Sequence, residues 1–193
     1  MTSSVEAVTR DWEGLTIPTA GTYVLDAAHK RVGFVARHMM VSKVRGEFAE
    51  AAATITVAED PMQSSVSATI QAASIDTKQA DRDAHLRSPE FLEVEKFPTL
   101  EFRSTAVKSR DGNEFVLVGD LTIKGVTRQV ELEVEFEGVG RSPFGQDIFG
   151  FSASTEIDRE EFGLTWNVAL ETGGVLVGKK IKIEIEGEAV RQA

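Results

Sequence analysis

Apolar and polar residues alternate through most of this chain. The clearest run is Val130, Leu132, Val134 and Phe136, separated by Glu131, Glu133 and Glu135. A period of two puts alternate side chains on one face, so each such run predicts a strand with one buried side and one wet side. Val32, Phe34, Ala36 and His38 repeat the pattern, as do Ile55 with Val57, and Val66, Ala68 and Ile70. Further on come Leu100 with Phe102, then Phe115, Leu117, Gly119, Leu121 and Ile123. Phe149, Phe151, Ala153 and Ile157 share a face, and Ile181, Ile183 and Ile185 close the series. Asp111-Gly112-Asn113 and Lys124-Gly125 are tight-turn candidates, because glycine takes positive φ at little cost. About eight half-buried strands with short connections predict an all-β fold, an antiparallel barrel or sandwich.

One segment departs from that period. From Thr77 to Phe97 the composition turns helical, with Thr77 placed to cap a helix and Ser88-Pro89-Glu90 reading as a fresh N-cap with proline in the first turn. Phe91, Leu92, Val94 and Phe97 are apolar where a connection is expected, so the insert reads as a plug or lid over one end of the strands. Residues 1–20 have no clear periodicity and contain Gly14 and Pro18; they read as an arm or strap, packed on the body through Trp12, Leu15 and Ile17. No repeat, low-complexity tract or linker divides the rest, so residues 21–193 are expected to form one domain.

Composition narrows the function classes. A net charge of −10, from 21 basic and 31 acidic residues, argues against nucleic acid or an anionic membrane as the main partner. The chain has no cysteine, which removes disulfides, thiolate nucleophiles and cysteine metal sites. No run approaches the ~18 apolar residues a membrane helix needs, and the start lacks a basic segment followed by an apolar stretch. The expectation is a cytoplasmic protein without a transmembrane segment. An exposed edge strand leaves room for a homodimer.

Candidate chemistry is sparse. His29, His38 and His85 are far apart with no metal-ligand spacing, so no metal and no cofactor are expected. Nucleophile-elbow, Walker and dinucleotide glycine motifs are missing, and Gly173-Gly174 reads as a turn into the last strand. His38 lies on the parity that should be apolar, which makes it either a hydrogen-bonded core residue or a contact to something bound. The aromatic inventory carries more information: eleven phenylalanines stand against two tryptophans and one tyrosine. Eight strands enclose a space that side chains just fill, or that holds one ligand if the interior is lined instead. Ala36, Gly46, Ala68, Gly119 and Ala153 on inward parities leave room beside the Phe rings for a slender apolar ligand.

Several motifs also recur in a fixed order. They are Asp26-x-x-His29 with Val32-x-Phe34-x-x-x-His38, Gly46-Glu-Phe48, and Ser74-Ile-Asp-Thr77. Arg82-Asp-x-His85-Leu86-x-Ser88-x-x-Phe91, Phe97-Pro-Thr-Leu-Glu-Phe102, Gly119-Asp-Leu-Thr-Ile-Lys-Gly125-Val-Thr127 and Arg159-x-x-Phe162-Gly163 follow. From Gly21 to Gly187 the chain thus resembles the YceI-like family, lipocalin-like β-barrels associated with polyisoprenoid binding. Members are often exported through a signal peptide, which is not legible here, and the family pattern starts near Tyr23, so the arm stands outside it. The resemblance implies a single lipocalin-like barrel, with the helical insert over one end, that binds and carries or stores an isoprenoid or similar long-chain lipid. It also fits isoprenoid-quinone or prenyl-phosphate chemistry.

On that reading Phe34, Phe48, Phe91, Phe102 and Phe151 line the interior with Ala36 and Leu86, and Phe97 and Trp166 stand near. His38, Arg82 and His85 meet a polar head group, although Arg82 can equally tether the helix through Asp76 or Asp83. Twenty buried carbons contribute roughly 16 kcal/mol gross at ~0.8 kcal/mol per CH₂, much of it cancelled by ordering the chain. Two other readings stay open: an enzyme acting on an isoprenoid or small lipid with His38 or His85 as acid/base, and a packed barrel with an interaction role and no ligand.

Overall fold

The computed structural model describes residues 8–193, with the side chains of Ser109 and Arg110 outside that description. β1 (Thr9–Trp12) and β2 (Leu15–Pro18) form a small hairpin. β3 (Gly21–His38), β4 (Ser42–Phe48), β5 (Ala51–Val57), β6 (Ser65–Gln71) and the short β7 (Ile75–Asp76) follow, then the helix α1 (Ala80–Arg87). β8 (Thr99–Asp111), β9 (Glu114–Ile123), β10 (Val126–Arg141), β11 (Asp147–Asp158) and β12 (Val177–Arg191) complete the chain. Each alternating stretch of the sequence lies in one of these strands.

β12 pairs with β3, which closes the sheet into an antiparallel barrel. The long β3 receives two partners end to end: its first half pairs with β5 from Gly21↔Val57, and its second with β4 from Val32↔Phe48. In the same way β7 continues the line of β6 by pairing with β4. Ten strands thus form eight staves, β3, β4/β5, β6/β7, β8, β9, β10, β11 and β12.

A bulge lets β3 bend between its halves. The register with β12 passes from Leu25↔Ala189 to Lys30↔Gly187, so Asp26, Ala27, Ala28 and His29 stand opposite Glu188 alone. Asp26 Oδ1 accepts from the Ala28 amide at 3.0 Å, and His29 Nδ1 lies 2.7 Å from Asp26 Oδ2. The Asp-x-x-His motif is therefore the clasp of this bulge. The Asp26 bond first, and the Glu188 charge second, raise the His29 pKa above its ordinary value.

Inside the barrel, glycines seat phenyl rings. A Cβ on Gly46 would collide with Phe34 Cζ, one on Gly119 would stand 2.5 Å from Phe102 Cζ, and one on Gly187 3.3 Å from Phe151 Cζ. The expectation that Gly46 and Gly119 leave space for a ligand is thus corrected, since rings occupy those spaces. The effect is to lay the rings against the wall and off the axis.

One end of the barrel is packed solid. Ala72, Ile75, Leu92, Phe162 and Leu164 are buried together there. Arg159, 2% exposed, ties this end: it donates to the carbonyls of Gly178 (2.9 Å), Leu164 (2.6 Å), Trp166 (3.0 Å) and Val177 (3.3 Å). Phe162 is 1% exposed and Gly163 ends the turn at φ 79°, so Arg159-x-x-Phe162-Gly163 reads as a structural motif.

α1 sits over the same end, capped differently from expectation. Gln79, not Thr77, is the N-cap, its side-chain oxygen accepting from the Arg82 amide. Thr77 is buried and donates through its amide and hydroxyl to Asp83 Oδ1, while Arg82 donates to Thr77 Oγ1 at 2.8 Å and to its carbonyl at 2.7 Å. No second helix follows Ser88. The amides of Leu92 and Val94 return to the carbonyls of Leu86 and Arg87, so residues 88–97 fold back onto α1 as turns.

Four outcomes follow from these contacts. Gly46→Ala is expected to cost roughly 1–3 kcal/mol of stability through overpacking against Phe34. Gly140→Ala, whose new methyl would meet Ile148 at an ordinary 3.7 Å, stays near neutral by the same chemical denaturation. Arg159→Met strips the donors from four carbonyls and lowers stability by roughly 3 kcal/mol, about 6–12 °C in thermal unfolding. A raised His29 pKa stabilises fully below the unfolded value of about 6.5 and is lost as pH climbs through the folded one. In NMR titration the His29 midpoint should lie above that value and fall back towards it in Asp26→Ala.

Candidate functional site

The inward faces enclose a cavity of about 300 Å³. Its walls are built by the alternation itself: Phe34 from β3, Phe48 from β4, Val66, Ala68 and Ile70 from β6, Leu117 and Leu121 from β9, Ala153 from β11 and Ile183 from β12 all face it. Ser64 and Thr155 are the only lining residues whose side chains carry a polar atom, and no lining residue is charged. Several of these inward residues, Phe34, Phe151 and Ile183 among them, are only half-buried, because they border unfilled space. The packed interior kept open from sequence is therefore not what the barrel has.

Such a space is apolar. An engineered apolar cavity of about 150 Å³ holds benzene, so twice that volume suits roughly a dozen carbons. No fixed charge waits inside for a head group, and any polar end must sit outside the lining or on the two hydroxyls. Two other grooves, of about 340 and 360 Å³, run along the outer face among Glu131, Glu133, Glu156, Lys182 and Glu186. Their charged rows are the wet side of the strands.

Of the residues singled out from sequence, Phe34, Phe48, Phe102 and Phe151 are brought together on the cavity wall. The other eight lie elsewhere. Ala36 pairs with Val44 and Ile181, and His38 with Ser42 and Val177 at the strand end. Arg82 tethers α1 through Thr77. The His85 ring stands edge-on to Phe91 at 5.0 Å and to Trp166 at 4.5 Å, and its Nε2 is hydrogen-bonded to the Glu90 carboxylate. Phe91, Trp166 and Leu86 belong to this outer cap, and Phe97 lies over Gly125 in the β9–β10 turn. Neither His38 nor His85 reaches the cavity, so the acid/base reading finds no imidazole there.

Sequence reasoning missed Phe115, Phe136 and Phe149, which also line the cavity. Their signal was present, since each shares parity with neighbours already read as inward. Ile17 and Pro18 line it too; the sequence reading packs Ile17 onto the body but brings neither residue to the interior. Outside the cavity, Asp26, His29 and Glu188 bring three ligand-type atoms within 4.8 Å of one another, at the exposed clasp of the β3 bulge. No helix among the described residues is long and apolar enough to cross a membrane.

This architecture is shared. A protein described as UPF0312 from Staphylococcus epidermidis is 41% identical over 165 residues, covering 84% of this chain and 94% of its own. Among solved structures, Burkholderia cenocepacia BcnA superposes with a TM-score of 0.73 at 22% identity, covering 85% of this chain and 98% of its own. A polyisoprenoid binding domain from Saccharophagus degradans gives 0.67 at 9% identity, over 90% of this chain and all of its own. At those identities the two structures speak for the fold. The model of the YceI-like domain matches residues 23–189, and the chain belongs to that family.

Proposed function

We propose that this protein binds an isoprenoid or a similar long-chain apolar lipid inside the barrel, and carries or stores it. One observation bears most of the weight: an interior space of about 300 Å³ whose lining has no charge and only two hydroxyl side chains. A prenyl chain matches both its chemistry and its bore. The fold relative from Saccharophagus degradans, described as a polyisoprenoid binding domain, supports the same reading.

Magnitudes agree with a carrier. About a dozen buried carbons contribute roughly 10 kcal/mol gross at ~0.8 kcal/mol per CH₂. Immobilising the ligand and its rotors removes several kcal/mol, which leaves binding firm enough to hold and weak enough to release. A polar head, of the quinone or phosphate kind, stays outside the apolar lining.

The test is solvent extraction of freshly purified protein followed by mass spectrometry, with Ala68→Phe and Ala153→Phe alongside. Both alanines line the cavity, so each added ring occupies space a lipid would need. A prenyl lipid near one equivalent in the parent protein, reduced about tenfold or more in both variants at little change in melting temperature, is expected. Undiminished lipid in both variants would place any bound lipid elsewhere and sink the interior site.

A further inference from the structure

The two ends of the barrel are closed in different ways. At the end under α1, Ile75, Leu92, Phe162 and Leu164 form a continuous core, and none of them borders the cavity. At the opposite end the cavity runs up to Ile17 and Pro18 of β2, and to Pro61 and Ser64 of the loop after β5. The stopper there is the β1–β2 hairpin, which lies outside the 23–189 span matched by the family model.

The hairpin has an inner face suited to that place. Arg10 pairs with Ile17 and Trp12 with Leu15, so these four side chains point the same way. Ile17 is 5% exposed, and the Trp12 ring centroid lies 6.1 Å from that of Phe115 on the barrel rim. Arg10 latches the hairpin to the loop beside its root. Its guanidinium donates to the carbonyls of Ala58 and Glu59, which directly follow the Gly21↔Val57 pair, and to Pro18 on its own hairpin, with the Glu59 carboxylate 3.6 Å away. At the base, Thr19 is held by the Tyr23 hydroxyl at 2.8 Å and by Arg191.

We propose that this hairpin is the movable stop of the lipid site: Ile17 and Pro18 set the longest chain that fits when it is shut, and release of the Arg10 latch opens the mouth for exchange. The inference rests on the lipid-binding reading above. A prenyl chain inserted from the mouth ends its path against the packed core, so each added unit pushes towards Ile17. The latch fits a gate because it consists of a few charge-assisted bonds at the rim, whereas the other end is held by a buried core.

Geraniol and farnesol, which differ by one isoprene unit and bracket the dozen carbons the cavity suits, are the probes, with the full chain carrying Ile17→Trp or Arg10→Met. Ile17→Trp is expected to weaken farnesol about tenfold or more and geraniol much less. Arg10→Met is expected to speed both uptake and release about tenfold by stopped flow, leaving Kd nearly unchanged. Parallel melting curves separate a gate from a damaged fold: an Arg10→Met protein with a lower Tm but unchanged uptake and release rates overturns the latch. If the parent protein binds both alcohols and Ile17→Trp treats them alike, the hairpin is no stop and the lipid reading survives alone. If the parent binds neither alcohol, both readings fall together.

Discussion

Closure of β12 on β3 is the constraint on which the remaining features depend. A sheet with free edges could flatten, slip or recruit another chain, whereas a closed one fixes its bore by strand number and stagger. β3 bears most of that load, pairing with β12 along its length, with β5 in its first half and with β4 in its second. A straight strand cannot follow the wall over eighteen residues, and the clasped bulge at Asp26–His29 supplies the bend. Once closed at eight staves, the barrel has an interior that phenylalanines can line without filling.

What happens at the two ends separates stability from access. Arg159 gathers carbonyls from two chain segments, the loop after Gly163 and the start of β12, and so turns irregular backbone into a sealed floor. Among the described residues no buried side-chain nitrogen or oxygen is left without a partner, so a loop-rich end can be closed without stranding a polar group. The opposite end relies on a short hairpin, whose contacts are few and lie at the rim.

Most of the barrel was legible because its signal is simple. Period two over five or more residues, as in Val130–Phe136, leaves little alternative to a half-buried strand, and the Lys124-Gly125 turn supplies the positive φ a tight hairpin needs. The candidate site was legible only in part. Parity says that Ala36 and His38 face the way Phe34 does, but not at what height the interior is already full. Ile181, across from Ala36, packs on the core that holds Phe162 and Leu164, so the cavity ends below it. Arg82 and His85 offered head-group chemistry in sequence, yet near neighbours, Thr77 and Glu90, take up their hydrogen bonds. The hairpin escaped notice because four-residue strands carry too few alternations to register.

The glycines beneath Phe34 and Phe102 leave this barrel a simple means of changing its bore. Each ring lies where it does because one methyl group is missing from the facing strand. Restoring that methyl displaces a ring without altering strand number, register or connectivity. Among descendants of one barrel, the calibre of the interior could drift by single-codon steps while the outer surface, with its rows of glutamate, stays the same. The bore would then change on a different clock from the fold that surrounds it.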